Sequence, residues 1–539
     1  MQAPHSRTAF ELLLEQAERA PNRRAALTLA GGISYLELAE RASSIAEHLR
    51  ADGITRGNRV GLLASNRIEW LEIFFGAAAL GATLVPFSTW STAAELDFLL
   101  RDAKVDVLFA MARQGDRDFA ADLAGLHAAD PHVLPRRVVL LDSAALQGAP
   151  FESYARFAEG PPLGELPPGT SASAADPMVI LYTSGSSNRP KAVPLDHYAV
   201  IENGFNIGER QGLLPSDRVL VSIPLFWSYG IANALPATIT HGATLVLQER
   251  FEPDGALELI EKHGCTALYT LPAMTNALTA HVAFSPERTR TLRTGVTIGA
   301  PQDVLKAAQV LGAREICNIY GSTESYGNCC VTPHDWPLEK RAASQGPPLP
   351  GVTLRIVHPE TGKACGVGEV GQLEVKGYLT RGYAGDSAKH NGEVFTADGY
   401  FKTGDLGHLS AEGYLSYAGR SSEMIKRSGI NVSPAEVEEV LQQHADVGLA
   451  GVTGLADAEK GEIIVAFVIA RAGRTLDVAK LTAHCRDKLS RYKIPDRFEV
   501  CEALPLTPTG KLMRRELKAL AGRTHVSLPL EGDGPGGRG

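Results

Sequence analysis

From Ser34 to Leu49 the chain reads SYLELAERASSIAEHL, which sets Leu36, Ala39, Ala42, Ile45 and Leu49 on one face at helical spacing. That period predicts an amphipathic helix, and Ser34 followed three residues on by Glu37 has the spacing of a capping box at its start. A short apolar run at Val60–Ala64 follows, then a helical pattern over Glu69–Leu80, a strand-like run at Thr83–Phe87, a helix over Ala93–Asp102 and a strand over Val105–Ala110. Strands alternating with helices predict a parallel sheet covered by helices on its faces.

The alternation resumes after the connection PPLGELPPGTSASAADP and continues through GATLVLQ, ALELIEKHG, TALYTL and REICNIYG, so a second wound sheet is expected. Beyond Pro350 the texture changes to short alternating strands with glycine turns, VTLRIVH, GQLEVKG and GYLSYAG, which predict a small β-barrel or antiparallel sheet. After Gly419 a further segment begins, where Ser433, Pro434 and Glu436 supply an N-cap, a proline at the first helical position and a capping glutamate. The expected fold is α/β. A large N-terminal domain over residues 1–420, built of two wound sheets plus the barrel, is followed by a small α+β domain over 421–525 and a glycine-rich tail, 526–539, predicted to be disordered.

Composition narrows the function classes. With 44% hydrophobic and 21% charged residues the usage is that of a globular enzyme, and a net charge of −8 argues against nucleic acid as a partner. Seven cysteines without a CxxC pair suit a reducing cytoplasm, and the adjacent Cys329 and Cys330 have no second ligand pair to make a metal site. The N-terminus lacks the basic start and apolar run of a signal peptide. The longest uncharged apolar stretch, Ile73–Val85, falls short of the roughly 20 residues that span a bilayer, so no integral membrane contact is expected.

The strongest local signal is YTSGSSNRPK, Tyr182 to Lys191, placed after the apolar strand Met178–Leu181. Hydroxyls and backbone N–H groups in a glycine-containing turn can surround phosphate oxygens, and Lys191 adds positive charge. A loop of the GxxxxGK[ST] type is absent, because Lys363 precedes Ala364 and Lys511 precedes Leu512. The string Gly366-Val-Gly-Glu-Val-Gly371 fits GxGxxG, but it leads into the strand QLEVKG instead of opening a helix, so it reads as turn glycines and not as a dinucleotide fingerprint.

Five strings occur in order: YTSGSSNRPK, NIYGSTE at 318–324, TGD at 403–405, GRSSEMIKRSGINVSPAEVE at 419–438 and PLTPTGK at 505–511. Together they resemble the acyl-adenylate-forming superfamily of acyl-CoA synthetases, peptide-synthetase adenylation domains and luciferases, over about residues 8–520. The resemblance implies an acid–thiol ligase that uses ATP, Mg2+ and coenzyme A. By it, Thr183, Ser184, Gly185, Ser186, Ser187 and Lys191 would hold the β and γ phosphates, while Gly299, Ala300, Pro301 and Tyr320 would sandwich the adenine. Asn318, Gly321 and Ser322 would line the same nucleotide site. Thr323 would touch the α-phosphate and Glu324 would bind magnesium, as a carboxylate beside phosphates suits a hard cation.

Asp405 would accept the ribose hydroxyls and Arg420 would support the ribose. Lys511, by the same likeness, would be the principal catalytic residue, offsetting the charge that gathers as a carboxylate approaches the α-phosphate. The second step would follow rotation of the C-terminal domain, which withdraws Lys511 and brings in the loop near Lys426 to Gly429. Ser422 stands where the family usually has a hinge Asp or Lys.

The segment PLFWSYG, Pro224–Gly230, matches a stretch that lines the family's acyl pocket, with Trp227 where a histidine is common. Phe226, Trp227 and Tyr229 offer flat apolar surface for an aromatic or medium-length acid, although core packing of some of these rings stays open. No aspartate lies in the segment to hold a substrate ammonium, which disfavours an α-amino acid. Coenzyme A is the favoured acceptor, with a phosphopantetheinyl carrier protein or an amine as alternatives; a homodimer is left open.

Overall fold

The computed structural model describes residues 2–142, 150–158, 172–183, 190–427, 430–457, 460–489, 491–507 and 512–523. The Pro, Gly and Ser-rich connection lies largely outside them, as do the tail residues 526–539. Among the described residues, one seven-stranded sheet has the order Lys191–Asp196, Pro177–Thr183, Thr83–Phe87, Arg59–Leu63, Val107–Ala110, Val138–Leu140, Phe151–Ser153. Its neighbours run parallel except at Lys191–Asp196, which returns antiparallel along Pro177–Thr183.

An eight-stranded sheet has the order Cys330–Val331, Cys317–Tyr320, Thr294–Thr297, Ala267–Tyr269, Arg218–Val221, Thr244–Leu247, Arg24–Leu27, Gly32–Ser34. Its inner pairs are parallel and its two outer pairs antiparallel.

The predicted helix runs over Tyr35–Ala51, where Ser34 Oγ accepts from the Glu37 N–H at 3.2 Å and the Glu37 carboxylate accepts from the Ser34 N–H at 2.7 Å. It packs on Ile68–Ala79, a helix apolar nearly all round and buried over Trp70–Ala79, as a helix enclosed between layers must be. Residues of both sheets join these helices in one core that includes Phe10, Trp70, Phe75, Val179 and Val219. Each large side chain buried there contributes on the order of 1.5–3 kcal/mol.

The strand expected to begin at Val105 begins at Val107, because Lys104 takes a left-handed conformation that ends the preceding helix Ala93–Ala103. The strand Arg24–Leu27 has no signal in the pattern; it is paired by Thr244–Leu247, far along the chain, with Ala26 opposite Leu245.

A four-stranded antiparallel sheet, Thr353–Val357, Gly371–Lys376, Phe401–Leu409 and Leu415–Arg420, occupies the place predicted for the barrel. The Gly366–Gly371 segment turns directly into its second strand, with the Gly366 N–H on Glu369 Oε2 at 2.9 Å, as read from the pattern.

The small C-terminal domain has its own five-stranded sheet and a separate core around Val437, Leu441, Val452, Ile464 and Leu481. Its helix Pro434–Gln442 starts at Ser433, whose Oγ accepts from the Glu436 N–H at 3.4 Å. The expected reciprocal bond is replaced: the Glu436 carboxylate accepts from Lys493 Nζ at 2.5 Å, and Ser433 Oγ donates to the Ala418 carbonyl at 2.6 Å.

Candidate active site

The phosphate-loop string is held by a strand pair. Thr183 and Lys191 face each other at the end of the antiparallel ladder. Ser184, Gly185, Ser186 and Ser187 lie outside the described residues. Lys191 Nζ sits 4.7 Å from the centroid of the Tyr383 ring, a cation–π contact. Tyr383 in turn donates its hydroxyl to Glu324 Oε1 at 2.8 Å. Burial, and after it the Glu324 carboxylate, push the Tyr383 hydroxyl far above the usual phenol range, so it stays a donor.

Glu324 and Thr323 lie on a single 3-10 turn, Thr323–Ser325, directly after the strand Cys317–Tyr320. Gly321 is required there, since a Cβ at that position would lie 2.1 Å from the Gly327 carbonyl oxygen. Ser322 closes the turn by donating its N–H to Ser325 Oγ at 3.0 Å. Tyr326 ends it at φ +57°, a left-handed conformation that a bulky residue adopts only when its surroundings enforce it. The enforcing contacts are clear. Asn203 Nδ2 donates to the carbonyls of Tyr326 and Asn328, at 3.1 and 2.8 Å, and the buried Tyr326 hydroxyl accepts from the Asp196 N–H at 3.1 Å.

The purine and ribose candidates also converge. Asn318 Nδ2 donates to the Ser344 carbonyl at 3.1 Å and reaches the Gly299 carbonyl at 3.5 Å, joining the NIYG strand to the Gly299–Pro301 segment. Ala300 donates its N–H to Asp303 Oδ2 at 3.0 Å, and Pro301 opens the helix Pro301–Gln309. Tyr320 donates its hydroxyl to Asp405 Oδ2 at 2.5 Å and stacks on Tyr417 with centroids 5.8 Å apart. Burial, and then Asp405, hold the Tyr320 hydroxyl well above the usual phenol range. Arg420 pairs across the ladder with Asp405, Nε to Oδ1 at 3.2 Å.

Three aromatic rings meet where the segments that follow one strand of each wound sheet come together, Trp90 after Thr83–Phe87 and Phe226 with Trp227 after Arg218–Val221. Trp90 meets Phe226 and Trp227 edge-to-face, with centroids 5.3 and 4.7 Å apart. Phe226 is 7% exposed and Trp90 39%, so the cluster grades from interior to solvent. Trp90 sits just beyond a strand of the other sheet and carries no periodic signal, so nothing in the sequence pattern marks it as a partner of Trp227. Tyr229 is buried against Tyr269, and its hydroxyl shares its proton between the Thr270 and Val296 carbonyls at 3.2 and 3.0 Å. Thr323 Oγ1 donates to Ser228 Oγ at 3.1 Å, tying the Thr323–Glu324 turn to the residue after Trp227.

Lys511 and Gly429 lie outside the described residues. Leu506 and Leu512 pair as an antiparallel bridge on either side of the lysine segment. Arg514, at the start of the following helix, donates to Glu423 Oε2 and Glu438 Oε2, both at 3.0 Å. Ser422 falls in the turn Ser421–Glu423, and Lys426 lies on the strand Ile425–Arg427 with its N–H on Glu462 Oε2 at 2.8 Å.

Among the described residues no cluster of three or more His, Cys, Asp or Glu could hold a metal. The Glu324 carboxylate, a hard oxygen donor whose Oε1 accepts from Tyr383, fits magnesium bound together with phosphate oxygens.

Family models match two stretches: "AMP-binding enzyme" over residues 13–384 and "AMP-binding enzyme C-terminal domain" over 436–511. The chain belongs to the AMP-binding enzyme family. Within that family it is 32% identical over 513 residues to the acyl-CoA ligase SID4 of Ajellomyces capsulatus, covering 91% of this chain and 87% of that one. It is 29% identical over 550 residues to the mitochondrial medium-chain acyl-CoA ligase ACSF2 of Rattus norvegicus, covering 95% and 87%.

The crystal structure of the anthranilate CoA ligase AuaEII in complex with anthranoyl-AMP superposes with a TM-score of 0.85 at 26% identity, covering 97% of this chain and all of that one. The chain is thus an enzyme of the AMP-forming acid–thiol ligase class. Among the described residues no helix is long and apolar enough to cross a membrane.

Proposed function

We propose that this AMP-binding enzyme joins a hydrophobic carboxylic acid, aromatic or medium-chain, to coenzyme A through an acyl-adenylate. The observation that carries this reading is the edge-to-face cluster of Trp90, Phe226 and Trp227, because the next residue, Ser228, accepts from Thr323 and so joins this apolar flat surface to the residue assigned to the α-phosphate. The likeness to a medium-chain acyl-CoA ligase and to an anthranilate CoA ligase supports the same substrate class.

A carboxylate oxygen attacks the α-phosphorus of ATP and pyrophosphate leaves with the broken Pα–O bond. The thiol sulfur of coenzyme A then attacks the acyl carbon, loses its proton and displaces AMP. Thr323 positions the α-phosphate, and Asp405 with Arg420 holds the ribose. Tyr320 packs on the adenine together with Gly299, Ala300 and Pro301. The segment from Thr183 to Lys191 surrounds the β and γ phosphates. Glu324 would hold magnesium, which would supply charge neutralisation at the phosphates.

Lys511 stabilises the charge that develops at phosphorus, a contribution of about 3–4 kcal/mol for a preorganised donor of this kind. Residues 1–420 form the adenylating domain and 421–525 the mobile one, a division supported by the change of sheet between Arg420 and Ile425. The unpaired cysteines support a reducing, cytoplasmic setting.

The test is release of AMP and pyrophosphate across fatty acids of increasing length and substituted benzoates, with and without coenzyme A, and with Lys511→Ala as control. Acyl-CoA formed from one hydrophobic group, with adenylation lost in the variant, is the expected result. Acyl-adenylate without acyl-CoA would move the acceptor to a carrier protein or an amine, and activity confined to small hydrophilic acids would refute the pocket assignment.

A further inference from the structure

The contact between Lys191, Tyr383 and Glu324 links two parts of the site that come from distant stretches of chain, and Tyr383 has no place in the motif-based account of catalysis. Its ring lies against Lys191 Nζ at 4.7 Å and its hydroxyl donates to Glu324 Oε1 at 2.8 Å, so one side chain holds a cation and an anion in a defined relation.

The backbone around it is pinned with unusual completeness. Asn391 grips Tyr383 from both sides, accepting from its N–H at 2.7 Å and donating to its carbonyl at 3.2 Å. Gly382, at φ +130°, lets that amide approach, since a Cβ there would lie 2.8 Å from Asn391 Nδ2. Thr380 donates its N–H to the Glu324 carbonyl at 2.8 Å and its hydroxyl to the Pro194 carbonyl at 2.7 Å. Ala384 donates its N–H to the Ala192 carbonyl at 2.9 Å. The segment 380–384 is thus stitched to the strand that follows the phosphate loop and to the turn that carries Glu324.

Resting on the assignment of Glu324 to the metal, we propose that Tyr383 is a positioning residue for the metal–triphosphate: its hydroxyl fixes the Glu324 carboxylate through Oε1, and its ring fixes Lys191 beside it. Hydrogen bonds that orient a ligating carboxylate set its affinity, and their removal costs roughly 10–100-fold in metal binding.

The experiment is equilibrium binding of Mn2+, read from its EPR signal in the presence of α,β-methylene-ATP, so that no turnover enters the measurement. Tyr383→Phe keeps the ring and its contact with Lys191 and removes only the hydroxyl. It is expected to weaken Mn2+ binding about tenfold, with the melting temperature and metal-free nucleotide binding unchanged. Asn391→Ala, which frees the Tyr383 backbone and leaves the hydroxyl in place, is expected to weaken Mn2+ binding to a smaller extent.

Mn2+ affinity equal to or tighter than wild type in Tyr383→Phe, with Glu324→Gln losing the ion, would overturn the role of Tyr383 and leave the Glu324 assignment standing. If Glu324→Gln binds Mn2+ like wild type, the metal assignment itself falls and takes this proposal with it.

Discussion

Replacing Asn203 tests whether the strained turn under Thr323 and Glu324 is held from below. Asn203 is fully buried, and its Nδ2 donates to two carbonyls, that of the left-handed Tyr326 itself at 3.1 Å and that of Asn328 two residues on at 2.8 Å. Asn203→Leu keeps most of the volume and admits no water, so both carbonyls are left without that donor. Each orphaned buried acceptor costs about 1–3 kcal/mol, while the leucine adds apolar contact and removes Asn203 Oδ1, itself buried without a hydrogen bond among the described residues, which leaves a net loss of roughly 1–3 kcal/mol.

Urea unfolding would read that loss at constant m. A second readout is ATP–pyrophosphate exchange with a good acid, expected to fall about tenfold because a relaxed turn misplaces Thr323 and Glu324 together. Stability within 0.5 kcal/mol of wild type, or full exchange activity despite the loss, would show that the turn does not depend on Asn203.

His197 is buried and neutral, accepting from the Ala9 N–H through Nδ1 at 3.2 Å, and burial lowers its pKa from 6.5 to about 4 in spite of Asp176. The native state therefore binds fewer protons, so its stabilisation is complete above pH 6.5 and is lost as pH falls toward 4. Relative to His197→Asn, the wild type should lose about 3 kcal/mol between pH 7 and 4, and parallel stability curves would refute this.

Trp90→Ala is expected to shift kcat/KM toward bulkier acids by about tenfold relative to small ones, and an unchanged ratio across the acid panel would remove Trp90 from the pocket. Ser422→Pro should slow thioester formation more than adenylation, since it restricts the turn Ser421–Glu423 about which the C-terminal domain is expected to rotate. Equal losses in the two half-reactions would refute a hinge at Ser422.

Local chemistry in the chain by itself determined much of this protein. The capping box of Ser34 and Glu37, the apolar strand before the phosphate loop and the glycine turns at Gly366–Gly371 each depend on neighbours a few residues away, so pattern and spacing suffice to read them. The candidate nucleotide residues were legible for a different reason, since Tyr320, Thr323 and Glu324 form one continuous string that folds as a strand and turn.

Only the tertiary structure decided the rest. Arg24–Leu27 becomes a strand because Thr244–Leu247 offers a partner edge, Glu436 turns from its cap to Lys493, and Trp90 reaches Trp227 across two sheets. The left-handed Tyr326 and the bridge from Lys191 through Tyr383 to Glu324 belong to the same group. In each case the deciding energy is a contact between residues remote in sequence, which local pattern cannot encode and which exists only once the layers have packed.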